Sequence, residues 1–315
     1  MKAYYSKAYG NSEASLLGEL PDPFAGPGQI LVEIKAVTIN PVDWKIKQGA
    51  ARLITGFRFP RIFGADFAGI VRETGHGVTS FSQGQQVYGS QSILFDRRGS
   101  LAELRAVDEA NVRLIPEGMS FNEAASLPIA ALTALNGLRK CGVGKGMKVL
   151  VNGGTGGVGH FAIQIARARG AVVTATCSEA NSELARSFGA DEIMGYSREE
   201  LANCNTRFDA IMDAYGKMSL RLARHLLKRG GTYASTLFIP PPYLSILITR
   251  LIYGRRFTSA NMRKRPEDWQ ELENLFAEGK LNPFIENIFP LENAADAFEL
   301  AVNGKPRGKI IVSVP

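Results

Sequence analysis

Cysteine is scarce in this chain of 315 residues: three, at Cys141, Cys177 and Cys204, none in a C-x-x-C pair. That excludes a disulfide framework and suits a reducing, cytoplasmic compartment. Long hydrophobic runs are lacking too. The start, MKAYYSKAYG, has no signal-peptide core, and the most apolar stretch, Tyr243 to Tyr253, is interrupted by Arg250 and too short to span a bilayer. No membrane partner is expected. Blocks of one charge are missing as well: 37 basic and 30 acidic side chains give a net +7, mostly dispersed along the chain. A basic balance favours anionic partners such as a phosphorylated cofactor. The one dense cluster, Arg255, Arg256, Arg263, Lys264 and Arg265, reads as solvated surface. With no basic motif interleaved with aromatics, nucleic acid is not favoured. Internal repeats and low-complexity segments are absent.

What is present is glycine, 33 residues of it, within a 45% hydrophobic, 21% charged composition that fits a soluble globular protein long enough for two cores. The chain centres on Lys148 to Ala166, KVLVNGGTGGVGHFAIQIA. An apolar run, Val149 to Val151, reads as a buried strand. Gly154, Gly156 and Gly159 follow as G-x-G-x-x-G, and an apolar-faced helix continues from there. Strand, turn and helix in that order identify a dinucleotide-binding turn. In this reading Gly154 permits the tight turn, Gly156 lets backbone approach a pyrophosphate, and Gly159 lets helix pack on strand. The backbone of Gly154, Thr155, Gly156, Gly157, Val158 and Gly159 would meet the anion, which the helix dipole also favours.

On either side the patterning differs. Before Gly118 there are many short strands with glycine-rich turns: Lys2 to Tyr9, Ile30 to Ile39, Ala68 to Glu73, Gln86 to Tyr88, Ala102 to Val107 and Val112 to Leu114. Asn122 to Leu138 reads as one helix, entered through a capping box of Ser120 and Glu123. From Lys148 strands and helices alternate, which predicts a parallel sheet covered by helices. Helices at Glu267 to Glu278 and Asn293 to Val302 and a strand at Lys309 to Val314 close the chain.

These features resemble the medium-chain dehydrogenase/reductase superfamily, and within it the zinc-free quinone oxidoreductases and the related alkenal/enone reductases. The resemblance runs through NPVDWKIKQG from Asn40, FGADFAG from Phe63, GSLAEL from Gly99, ASLPIAALTAL from Ala125, the glycine motif, FGADEIMGY from Phe188, FDAIMDAYG from Phe208 and RGKIIVSV from Arg307. It implies an α/β chain: a central Rossmann domain, residues 121–262, and a GroES-like, β-rich catalytic domain made by both chain ends, residues 1–120 and 263–315. The active site is then expected in the cleft between them, and a homodimer is expected through Rossmann sheet edges.

Zinc members of the superfamily carry an early cysteine, a G-H-E motif and often a four-cysteine lobe. Here Asn40-Pro41-Val42-Asp43 and Gly64-Ala65-Asp66 stand in those places, and no cysteine precedes Cys141. His76, His160 and His225 lie near no cysteine pair. A metal-free site is expected.

An NAD-specific site would set an acid about twenty residues past the glycine motif. Cys177 stands there, followed by Ser178. Tyr196 matches the family's adenosine-phosphate tyrosine, and Asn181 lies in the same region, so NADP(H) is the expected cofactor. Against it, the turn after Ser178 holds Glu179 where relatives often have a basic residue; a solvent-facing helix-entry carboxylate is the other reading of Glu179. Arg307, by resemblance, reaches the cofactor from the other domain. Thr133 matches a threonine beside the nicotinamide. Asn40, Asp43 and Lys45 match the loop lining the cleft; Lys45 is either a group that bonds cofactor or carbonyl or a plain surface lysine, and Asn40 and Asp43 are either catalytic or loop-capping.

The expected activity is hydride transfer from NADPH to a small electrophilic acceptor, a quinone or an α,β-unsaturated carbonyl, with the cofactor supplying the chemistry. Two other readings are a zinc-independent alcohol or carbonyl dehydrogenase, and an NADPH-binding, RNA-associated protein with little turnover.

Overall fold

A computed structural model describes residues 1–10, 14–237 and 254–315. The apolar stretch Tyr243 to Tyr253 lies outside the described residues. The chain forms two compact units, Met1–Ile129 with Phe284–Pro315, and Ala130–Pro283.

In the first unit the alternating stretch QILVEIKAVT forms the strand Gln29–Thr38, whose inward residues Ile30, Val32 and Ile34 are buried. It is the spine of a seven-stranded sheet ordered Ile285–Pro290, Lys309–Ser313, Gln29–Thr38, Asp66–Thr74, Gln86–Ser90 and Val112–Leu114, with Leu104–Asp108 also paired to Gln29–Thr38. A smaller antiparallel sheet joins Ser15–Glu19, Lys2–Ser6 and Arg61–Ile62. The core beneath gathers residues from both ends of the chain, Phe63, Phe67 and Leu101 with Leu291, Phe298 and Val312. The C-terminal strand enters because Ile311, Val312 and Ser313 pair antiparallel with Thr38, Val37 and Ala36. Residues 309–313 thus complete a sheet begun at residue 29.

The second unit is a six-stranded, wholly parallel sheet in the order Glu192–Met194, Val172–Thr176, Lys148–Asn152, Phe208–Asp213, Leu227–Ser235, Arg256–Ser259. Numbered by position in the chain this is 3-2-1-4-5-6, the doubly wound order that binds dinucleotides where the strand order reverses. The central strands Lys148–Asn152 and Phe208–Asp213 carry the buried apolar runs VLV and AIM, as strands covered on both faces do. The helix Gly159–Ala168, buried from Gly159 through Ala166, packs on Lys148–Asn152 and Val172–Thr176. Cys141 is buried, its Sγ 3.8 Å from the Ile211 carbonyl and 3.7 Å from that of Thr232, and burial pushes its thiol up to about 12.

Three sequence expectations change. The single helix over Asn122 to Leu138 is two helices, Phe121–Ser126 and Pro128–Lys140, because Pro128 has no N–H to continue the ladder. The capping box at its start is present: the Glu123 N–H donates to Ser120 Oγ and the Ser120 N–H to Glu123 Oε2. The strands Ser15–Glu19 and Ile285–Pro290, half-buried at best and interrupted by Gly18 or ended by Pro290, carry little alternation and stand outside the expected set.

The unit limits also differ from the expected 120/121 and 262/263. Phe121–Ser126 packs on the strands Gln29–Thr38 and Asp66–Thr74, with Thr38 Oγ1 donating to the Ala125 carbonyl. The helix Pro266–Ala277 stays with the second unit, where Asp268 pairs with Arg139 and Glu271 with Arg139 and Arg169.

Candidate active site

The strand Lys148–Asn152 ends in polar Asn152, and the backbone then bends at Gly153, whose φ of +79° favours glycine. Gly153 N–H donates to Thr176 Oγ1 and Gly154 N–H to the Thr176 carbonyl, which staples the turn to the neighbouring strand. The tight turn is therefore Gly153's task, not that of Gly154. Gly154 instead permits close packing: a Cβ there would lie 2.8 Å from Ala175 Cβ and 3.0 Å from Ile163 Cδ1. At Gly159 a Cβ would sit 2.0 Å from the Gly153 carbonyl oxygen, so only glycine lets the helix start this close to the turn. Gly156 is open, with nothing nearer its virtual Cβ than the Gly153 oxygen at 3.5 Å.

Among the described residues, the N–H groups of Thr155, Gly157 and Val158 have no backbone or side-chain acceptor. Unsatisfied donors where a ten-residue helix begins are able to accept an anion. The group that this turn fits is a dinucleotide pyrophosphate.

Beneath the turn a buried polar network ties the strand ends at the reversal point. Thr176 Oγ1 donates to Asn152 Oδ1, and Asn152 Nδ2 to Asp213 Oδ1. Asp213 also accepts from the Gly216 and Met218 N–H groups and from the Tyr233 hydroxyl. Burial, then the Asp213 carboxylate, raises the Tyr233 phenol, keeping it a donor. Sequence reading missed Asn152 and Asp213; the signal was a single polar residue closing each of the apolar runs VLVN and AIMD.

At the neighbouring strand end, where an acid would bond ribose, Cys177 is buried and Ser178 is half-buried. Glu179 opens a one-turn 3-10 helix, Glu179–Asn181, with its side chain in solvent. Asn181 is half-buried, and Tyr196 is 62% exposed beyond the strand Glu192–Met194. Thr133 lies buried on Pro128–Lys140 in the same unit. His160 is a core residue: its Nδ1 bonds the Gly156 carbonyl and its ring packs on Phe161 and Phe188.

In the first unit, Asn40 and Asp43 belong to a buried cluster. Asp43 caps the helix Pro41–Lys47: the Asn40 N–H donates to its Oδ2 at 2.7 Å and the Ala65 N–H to its Oδ1 at 3.0 Å. Asn40 Nδ2 donates to Asp66 Oδ2, which also accepts the Ile129 N–H. From the C-terminal strand, Lys309 Nζ donates to Asn40 Oδ1 at 2.8 Å. All four side chains are at most 3% exposed. Burial pushes the Asp43 carboxyl up to about 7, and raises that of Asp66. Burial also pulls the Lys309 ammonium down to about 8 against the opposing attraction of Asp66 and Asp43.

Lys309 was not singled out from the sequence, though a lysine opening the buried strand KIIVS is itself a signal. Lys45, on the helix that Asp43 caps, is exposed, its Nζ 5.4 Å from the Trp44 ring centroid. Arg307 is exposed and paired with Glu286 at 2.8 Å. A concavity of about 570 Å³ in this unit is lined by exposed Phe57 and Phe95 together with Arg58, Arg61, Arg97 and Arg98. Among the described residues, no three His, Cys, Asp or Glu side chains are grouped to hold a metal ion, and no helix is long and apolar enough to cross a membrane.

Two family models match the chain, the alcohol dehydrogenase GroES-like domain over residues 26–117 and the zinc-binding dehydrogenase over 188–312. A chloroplast envelope quinone oxidoreductase homolog of Arabidopsis thaliana is 32% identical over 99% of this chain and 98% of its own length. An NADPH-dependent alkenal/one oxidoreductase of the same plant is 32% identical over 99% of this chain and 79% of its own. Among solved structures, the quinone oxidoreductase of Coxiella burnetii superposes with a TM-score of 0.90 at 32% identity, covering 100% of this chain and 99% of that one.

Proposed function

Since the chain belongs to the medium-chain dehydrogenase/reductase family, we propose that it is an NADPH-dependent oxidoreductase that reduces quinones or the β-carbon of α,β-unsaturated carbonyls without a metal. The observation that carries this reading is the glycine turn at the sheet's reversal point, with its free N–H donors and a Gly156 over which backbone can approach phosphate. A bound nicotinamide would supply the hydride. Gly154 to Gly159 would hold the pyrophosphate, and Thr133 would lie beside the nicotinamide.

NADPH over NADH is favoured by what stands at the second strand's end. Cys177 offers no carboxylate to ribose hydroxyls, while Ser178, Asn181 and Tyr196 supply polar groups for a 2′-phosphate. Glu179 points to solvent and does not oppose one. Arg307 would add a positive charge by exchanging Glu286 for phosphate.

The buried cluster supports metal-free chemistry. A zinc ion at Asn40 would have to displace the Lys309 ammonium, and a dication beside a buried ammonium is repelled. Asn40 and Asp43 then act by fixing the helix that presents Lys45, which bonds cofactor or acceptor carbonyl. The concavity between Phe57 and Phe95 suits a flat acceptor, with Arg58 and Arg97 for the anion that reduction leaves, since Arg61 is bonded to backbone carbonyls and Arg98 is paired with Asp96, which also lines it. The half-paired edge strand Arg256–Ser259 suits a homodimer joined sheet edge to sheet edge, and three unpaired cysteines suit a reducing cytoplasm.

Loss of nicotinamide absorbance on adding 1,4-quinones or small enones to enzyme and NADPH tests the reading. Turnover is expected, unchanged by chelator, with NADPH preferred over NADH by about tenfold, the worth of one good phosphate contact. No turnover with either acceptor class, or activity abolished by chelator, would overturn it.

A further inference from the structure

The second unit carries a concentration of positive charge that the cofactor turn does not use. Arg207 precedes the strand Phe208–Asp213, and Arg255 precedes Arg256–Ser259. Arg221, Arg224 and His225 lie on the helix Leu220–Leu226 at spacings of three and four, and so share one face. These five residues line a concavity of about 430 Å³, and among the described residues no carboxylate lines it.

The strands are parallel, so the concavity sits at their starting ends. The glycine turn follows the opposite ends, separated by the length of a strand, roughly 17–20 Å for five or six residues.

The guanidinium groups of Arg207 and Arg255 are held by backbone carbonyls. Arg207 Nη1 donates to the Cys204 and Thr206 carbonyls, and Arg255 donates through Nε and Nη2 to the Leu227 carbonyl. Arginine cannot shed its charge at neutral pH, so the mutual repulsion stays. Burial and then Arg224, Arg229 and Arg207 lower the affinity of Arg255 for its proton. Clustering like charges around a hollow costs stability unless a counter-ion binds there, and planar guanidinium forks match phosphate oxygens two at a time.

We propose that this concavity binds a small phosphate-bearing anion, at a site distinct from the glycine turn. Its volume lies within the range of small-ligand pockets rather than of an extended groove. The phosphate belongs either to a soluble polyphosphate or to an anionic lipid headgroup.

The test is calorimetric titration of the full chain with inorganic pyrophosphate, with and without saturating NADPH. A parallel sedimentation uses phosphatidylcholine vesicles with and without phosphatidylglycerol. Pyrophosphate binding that NADPH leaves intact and that Arg221→Ser with Arg224→Ser weakens about tenfold or more assigns the site to a soluble anion. Binding to the anionic vesicles alone, with the same dependence on these arginines, assigns it to a headgroup. Both side chains are exposed, and thermal melting checks that the pair folds; Arg221→Glu alone serves if it does not. Binding of neither probe, binding indifferent to the substitutions, or pyrophosphate displaced by NADPH would overturn the proposal. So would capture of single-stranded RNA that pyrophosphate fails to displace, which points to a nucleic-acid surface instead.

Discussion

Asp43 and Lys309 stand 266 positions apart in the chain, yet each gives the other a reason to be buried. For Asp43 the sign of the pH effect is fixed by its folded value of about 7 against an ordinary 3.8. The folded state holds its proton more tightly, so the stability this residue contributes is complete at low pH and is lost as pH rises from about 4 to about 7. Urea midpoints for wild type and Asp43→Asn should therefore converge over that window, the wild type losing ground; parallel curves would refute the assignment. Asn40 and Asp43 could be read from NPVD because the departure from a ligand cysteine is local. Lys309 carried a signal of its own, but its pairing with Asn40 could not be read, because strand pairing across the whole chain sets it there and no periodicity near residue 40 encodes that.

Among the elements, the turn between Lys148–Asn152 and Gly159–Ala168 separates two kinds of glycine. Gly159→Ala forces a methyl against the Gly153 carbonyl and should destabilise the protein by about 3 kcal/mol, at the upper end for overpacking. Gly156→Ala meets open space and should change stability by no more than about 0.5 kcal/mol. It should nonetheless weaken NADPH binding by about tenfold or more, because the methyl stands where phosphate must approach. Thermal melts beside fluorescence titration distinguish the two; equal binding by wild type and Gly156→Ala would remove the pyrophosphate from this turn. The motif was legible because strand, turn and helix are contiguous in sequence. Which glycine bends the chain was not, since Gly153 precedes the motif and only the backbone angle reveals its part. The break at Pro128 was legible in principle: the Ala124 carbonyl loses a donor there whatever the apolar period suggests.

At the scale of the whole molecule, the first unit closes only when the last strand arrives. A chain ending at Gly308 lacks the partner of Ala36 to Thr38 and the ammonium bonded to Asn40. Its first unit should fail to fold, and limited proteolysis should leave a resistant fragment near Ala130–Pro283, which has a core of its own. Survival of the full-length digestion pattern would contradict this. The doubly wound half was open to sequence reading because neighbours in its sheet are mostly neighbours in the chain. The β-rich half is closed by distant pairings such as that of Ile311 with Thr38, while its edge strands Ser15–Glu19 and Ile285–Pro290, though paired with near neighbours in the chain, carry too little apolar alternation to be read. The placing of sulfur has a further consequence. Enones and quinones alkylate soft nucleophiles, and thiolate is the softest that a protein offers. With Cys141 buried against the sheet just past the helix Pro128–Lys140 and held protonated, and Cys177 raised by burial as well, the chain is built to outlast the poisons it is proposed to disarm. Prolonged exposure of the native protein to maleimide should mark Cys204 first and spare Cys141 until the fold opens.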